Sequence, residues 1–239
     1  MEMKERIENF RNKEKYNVDD VRELVEILRS DDGCAWDREQ TNKSIRNAII
    51  EETYEFIEGL DNDDRELMKE ELGDVFFQVF FHARILEEDG FFNVDDVADG
   101  ICKKMVLRHP HVFGDVVVKN SAEVLNNWDI IKKGEKHRDS AKKELESVSM
   151  TLPSLIRAEK LLSKYKKEGG YVEKDKNILF DNIEKALEKA KEGLDEKTLG
   201  ELLFKIANLS YASDINSEEA LYHYNNGFVS EKSAELENK

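Results

Sequence analysis

Apolar residues recur at helical spacing along nearly the whole chain, and the elements follow from that rhythm. Residues 19–30 (DDVRELVEILRS) put Val21, Leu24, Val25 and Leu28 on one face, behind Asp residues that suit a helix start. Residues 1–17 are charged and read as a helical or frayed lead-in. Gly33 stops the amphipathic helix in the loop DDGCAWDREQTNKS, and Asn42 or Ser44 stands ready to cap a helix over 44–60. After a turn at 61–64, a long helix is predicted from about 65 to 89, ended by Gly90. Its residues Leu72, Val75, Phe76, Phe77, Val79, Phe80, Phe81, Ile85 and Leu86 are apolar nearly all round, which predicts a buried central helix. A fourth helix over about 94–108 starts near Asn93 or Asp95 and turns Val97, Ile101 and Met105 inward. Pro110 ends it, HPHVFGD makes a compact turn, and Ser121 caps a helix running through about 137.

A second block repeats this outline after Pro153, with helices over 154–167, 178–192, 195–210 and 217–225 and a Gly169-Gly170 break. The polar stretch 138–150 reads as a linker or a weak helix. The organisation expected is a lead-in at 1–18, a first helical domain at 19–138, a linker at 139–152 and a degenerate second domain at 153–239. The clearest internal match sets LGELLF (199–204) on LGDVFF (72–77).

One polar stripe interrupts the long helix: Glu71, Asp74, Gln78 and His82, within roughly 80° of one another. The preceding helix carries Glu52 and Glu55 at the same i,i+3 spacing as Glu71 and Asp74. None of these acids has a Lys or Arg at i±3 or i±4, so intrahelical ion pairs do not compensate them. Carboxylates gathered without a cation call for one, and a set of hard oxygens suits a hard divalent ion such as Mg²⁺. The competing reading is a solvated acidic helix edge. In the second block Glu71 becomes Thr198, Asp74 becomes Glu201, Glu52 becomes Asn182 and Glu55 becomes Lys185, a set that should hold a divalent cation poorly. The helical outline therefore persists without the acids.

Composition narrows the field. The chain is 39% hydrophobic and 38% charged, with only two prolines, which favours an all-α protein with solvated outer faces. A net charge of −16 argues against nucleic acid or an anionic membrane as a bulk partner, while leaving small phosphorylated substrates open. No apolar run is long enough to span a bilayer and the N-terminus has no signal-like core, so a cytoplasmic location is expected. Cys34 and Cys102 form no metal-binding spacing and are expected as free thiols.

Five segments, GCAWDREQT, EETYEFIE, EELGDVFFQVFFHARILEEDG, KKMVLRHPHVFGD and SAEVLNNWDIIKKGE, resemble the MazG-type nucleoside triphosphate pyrophosphohydrolases in order and spacing. The resemblance covers about residues 20–137 closely and the second block faintly, as in two-repeat members. It implies an all-α bundle of two tandem repeats, assembled as a homodimer, that hydrolyses NTPs or dNTPs to monophosphate and pyrophosphate in nucleotide-pool cleaning. The family's acidic pattern falls on Glu51, Glu52, Glu55, Glu71 and Asp74. The resemblance makes Glu52, Glu55, Glu71 and Asp74 the ligands of Mg²⁺, for which Mn²⁺ can substitute. It makes Lys104 and Arg108 the phosphate-contacting cations, and it sets Trp36 and Trp128 where they can approach the base, although each also reads as a packing residue. Glu51 and Glu55 are both candidates to accept the proton of the attacking water. Ala35 stands where the family usually has Pro. The reading from another class is a non-catalytic nucleotide-binding or scaffold protein.

Overall fold

The computed structural model describes residues 2–135 and 140–237 and, of Lys133, the backbone alone. Among the described residues there are helices and turns and no strand. The chain divides into two compact units, Met1–Trp128 and Asp129–Lys239. The sequence-based domain boundary at 138/139, and the end of the helix expected through 137, lie outside the described residues.

In the first unit the lead-in forms α1 (Met3–Arg11), which is tied to α2 (Val18–Leu28) through Arg6 to Glu23 and Glu26. A capping box of Asn17 and Asp20 starts α2, and Lys13 pairs with the buried Asp20 carboxylate. Gly33 is obligatory at the end of α2 because a Cβ there would lie 2.1 Å from the Ile27 carbonyl oxygen. The loop that follows holds a short helix α3 (Ala35–Glu39).

The helix expected over 44–60 begins later, as α4 (Ala48–Asp61). Neither Asn42 nor Ser44 caps it: Ser44 exchanges hydrogen bonds with Thr41, and residues 42–47 are turn. The physical reason is Ile45, which this unwound segment drops into the core with Val25, Phe80, Phe81 and Ile85. Next comes α5 (Arg65–Glu88), capped by Asp64, antiparallel to α4 and packed along it. Gly59 is what lets the two helices close at the hairpin end, since a Cβ there would meet the Met68 backbone nitrogen at 3.0 Å.

The expectation of a helix buried on every side is corrected by α5. Phe80, Phe81 and Ile85 are buried, but Leu72, Phe76 and Val79 form a stripe that is 52%, 37% and 36% exposed. With α4, α2 and α6 (Val94–Arg108) as its main neighbours, α5 keeps one apolar face uncovered. A capping box of Asn93 and Asp96 starts α6, and a bidentate Arg22–Asp95 pair ties its first turn to α2. Val97 and Ile101, expected inward, are exposed. Pro110 opens the single turn α7 (Pro110–Phe113), and α8 (Ser121–Glu135) is capped by the Asn120 side chain rather than by Ser121.

The second unit contains α9 (Ala141–Glu146), α10 (Ser154–Lys167), α11 (Lys176–Glu192), α12 (Glu196–Ala212) and α13 (Ser217–Glu237). The short α9 packs on α10 through a buried Glu144 that meets Lys164. Here α11 and α12 form a hairpin like that of α4 and α5, and Leu179, Ala186 and Ala190 of α11 and Ala207 of α12 are buried.

Candidate metal centre

The α4–α5 hairpin sets the site. Helical spacing puts Glu52 and Glu55 on one face of α4, and the antiparallel packing brings Glu71 of α5 opposite them. Glu52, Glu55 and Glu71 each place one carboxylate oxygen within 4.8 Å of the others. Glu71 is buried, Glu52 half-buried and Glu55 exposed, so the group runs from the hairpin seam to solvent. Asp74, expected as a fourth ligand, is exposed and stands outside this trio, though near enough for its charge to act on Glu52 and Glu71. Glu51 is exposed beside Glu52.

The electrostatics of the trio are those of uncompensated negative charge. Burial pushes the Glu71 carboxyl above the ordinary range, the charges of Glu55, Asp74 and Glu52 push it further, and a hydrogen bond with Glu55 adds to the rise. Burial likewise raises Glu52, followed by the charges of Asp74, Glu55 and Glu51, with a hydrogen bond to Glu71 acting in the opposite sense. Glu71 Oε2 is buried with no hydrogen-bond partner. An all-carboxylate donor set with an orphaned buried oxygen fits a hard divalent cation such as Mg²⁺ or Mn²⁺.

The other candidate residues divide. Arg108 and Trp128 are brought together: the guanidinium of the buried Arg108 lies 4.9 Å from the Trp128 ring centroid. Lys104 is exposed one turn earlier on α6. Trp36, on α3, is 63% exposed and packs into no core. Trp128 is half-buried against Arg108. Gln78 and His82 share the polar stripe with Glu71, and their spacing alone assigns them no role. Gln78 is buried and His82 half-buried, each with one buried acceptor atom, and His82 Nδ1 bonds Asn42 Oδ1, a partner 40 residues away that no local spacing signals.

Comparison with known proteins adds the chemical context. The MazG nucleotide pyrophosphohydrolase domain model matches residues 40–113, a stretch that includes every member of the acidic trio. The chain is similar to the nucleoside triphosphate pyrophosphohydrolase/pyrophosphatase MazG of Thermotoga maritima, 38% identical over 210 residues, covering 86% of this chain and 80% of that protein. It is 32% identical over 224 residues to the nucleoside triphosphate pyrophosphohydrolase of Escherichia coli K12, covering 88% of this chain and 84% of that one. It is also 50% identical over 140 residues to YabN of Bacillus subtilis, where the match covers 59% of this chain but spans only 28% of YabN.

Proposed function

The chain belongs to the MazG family of nucleotide pyrophosphohydrolases, and from that premise we propose that it hydrolyses nucleoside triphosphates, NTPs or dNTPs, to monophosphate and pyrophosphate. The observation that carries the reading is the trio itself: a buried Glu71 with an orphaned oxygen, facing Glu52 and Glu55 across the α4–α5 seam. In this proposal Glu52, Glu55 and Glu71 hold Mg²⁺, with Mn²⁺ as a substitute, and Asp74 adds negative charge at the rim. The bound cation would neutralise phosphate charge and lower the pKa of the attacking water.

The protein's own residues do the rest. Glu51 is exposed and outside the trio, which favours it over Glu55 as the group that takes the proton from water attacking the α-phosphorus. Lys104 and Arg108, one turn apart on α6, stabilise charge on the departing pyrophosphate. Trp36, with its ring exposed, is free to stack on a base. Uncovered Leu72, Phe76 and Val79 favour a second copy of this chain as partner, making a homodimer. No described helix is long and apolar enough to cross a membrane. A cytoplasmic role in clearing unwanted nucleotides completes the proposal.

The test is pyrophosphate release by the chelator-stripped protein over a panel of NTPs and dNTPs. Turnover that appears only on adding Mg²⁺ or Mn²⁺ is expected. Substantial cleavage in EDTA overturns the metal assignment. No release from any nucleotide with Mg²⁺ present favours the non-catalytic binding role instead.

A further inference from the structure

Three side-chain acceptors of α5 are buried without a hydrogen-bond partner: Glu71 Oε2, Gln78 Oε1 and His82 Nε2. They lie on one face, within about 40° of one another, and span about 16 Å of helix rise. A cation accounts for Glu71. It cannot serve the other two, which sit about 10 and 16 Å further along the helix.

Three contacts align this stripe with the α4 side of the hairpin. Gly59 closes on Met68 at one end, Glu52 and Glu55 meet Glu71 next, and Asn42 meets His82 beyond the start of α4. Asn42 Oδ1 accepts from His82 Nδ1, so the proton sits on Nδ1 and Nε2 is left as a bare acceptor. Burial lowers the imidazole pKa, which favours the neutral ring. A buried acceptor without a donor is costly, so this geometry asks for one.

The second hairpin shows that helix packing does not require these groups. On the register that sets LGELLF on LGDVFF, Gln78 becomes Lys205 and His82 becomes Leu209. At those positions α12 carries neither acceptor, and in the same copy Glu52, Glu55 and Glu71 are replaced by Asn182, Lys185 and Thr198. The stripe and the trio are thus replaced as a set.

We propose that Gln78 and His82, the latter oriented by Asn42, form the nucleoside-reading end of the site and accept hydrogen bonds from N–H or O–H donors of the bound nucleotide. The proposal rests on the NTP-hydrolysing function proposed above. A nucleotide held through its phosphates at the trio extends its nucleoside along the seam toward His82. The donor is an exocyclic amine of the base or a hydroxyl of the sugar.

The experiment compares kcat/KM for pairs that differ by one donor, ATP and CTP each against the analogue that lacks the exocyclic amine, and each NTP against its dNTP. The full-length wild type, His82→Phe and Gln78→Met are assayed with Mg²⁺. A wild-type preference for the donor-bearing member is expected in at least one pair. In the variants that preference should fall by about tenfold, carried mainly by KM, and the pair that responds identifies the donor. If His82→Phe does not fold, Asn42→Ala keeps the ring but releases its orientation and is read through the same ratios. Unchanged ratios overturn the proposal, whether turnover drops uniformly, as for a structural role, or not at all, as for acceptors filled by buried water. No wild-type preference in any pair overturns it as well. A wild type that releases no pyrophosphate from any nucleotide fails the underlying function instead, so the two failures are distinguishable.

Discussion

The hairpins α4–α5 and α11–α12 share a shape and differ in how their charge is balanced. Leu72, Phe76 and Val79 on α5 match Leu199, Leu203 and Ile206 on α12, and all six are exposed. Glu71 and Thr198 occupy matching buried positions, 6% and 8% exposed. Thr198 is satisfied at home, closing a capping box with Asp195 and donating its hydroxyl to the Gly193 carbonyl at 3.0 Å. Glu71 Oε2 has no such partner. Glu201, in the place of Asp74, is met at 2.5 Å by Lys189. The second hairpin carries its own cation in Lys189, whereas the first gathers the carboxylates of Glu52, Glu55 and Glu71. A similar hairpin therefore packs without acids at the positions of 52, 55 and 71, which leaves those carboxylates to be explained by something other than packing.

The sharpest break between the two hairpins should appear in turnover. Glu71→Gln is expected to lower kcat/KM for NTP hydrolysis by more than about a hundredfold, since even residues behind metal ligands cost 10–100-fold. Glu201→Gln should leave it within about twofold, as expected for loss of a surface ion pair. Steady-state pyrophosphate release measures both. Comparable losses in the two variants would erase the distinction.

Packing of the first hairpin depends on a close approach that can be filled. Gly59→Val is expected to destabilise the protein by about 1–3 kcal/mol, because the added methyls must displace Met68. Urea denaturation reads the shift, and an unchanged midpoint would mean that the helices need no contact at that end.

The carboxyl cluster also has a pH signature in metal-free protein. Glu71 is raised in the folded state, so its contribution to stability is full below the ordinary Glu value of 4.5 and lost as pH rises through its folded value. Asp20 and Asp95, lowered by Lys13 and Arg22, run the other way and favour folding as pH rises. Subtracting wild type from Glu71→Gln removes them. The melting-temperature advantage of Glu71→Gln should grow from pH 4.5 toward neutrality and shrink when Mg²⁺ is added. A difference flat in pH would place Glu71 in a compensated environment.

The smallest effect belongs to the glycines the hairpins share. A Cβ at Gly73 or Gly200 meets nothing within 4 Å. Gly73→Ala and Gly200→Ala should each stabilise by about 0.5–1 kcal/mol through helix propensity. A loss on alanine at Gly73 alone would reveal a contact on the uncovered face of α5.

Much of this was legible in the sequence, and the exceptions have identifiable causes. The boundaries of α5 and α6 follow from Asp64, Asn93 and the apolar rhythm, because caps and periodicity are local signals. Glu52 with Glu55, and Glu71 with Asp74, were legible as pairs because i,i+3 spacing fixes a shared helix face. Only the packing of α4 on α5 shows which carboxylates converge, two of α4 and one of α5, with the charge of Asp74 acting on Glu52 and Glu71. The turn at 42–47 was hidden because Ile45 fits a helical pattern as well as it fits the core it fills. Periodicity also cannot tell an apolar face that meets its own chain from one left bare, which is why Phe76 and Val79 were expected inside. Arg108 on Trp128 and His82 on Asn42 join positions 20 and 40 residues apart, and only the fold brings them together.

Mn²⁺-induced line broadening in the NMR spectrum of nucleotide-free protein tests the metal assignment most directly. Substoichiometric Mn²⁺ should broaden signals around Glu52, Glu55 and Glu71 first, leave those around Lys189 and Glu201 sharp, and lose this selectivity in Glu71→Gln. Broadening centred on the second hairpin, or the same pattern in wild type and Glu71→Gln, would contradict it.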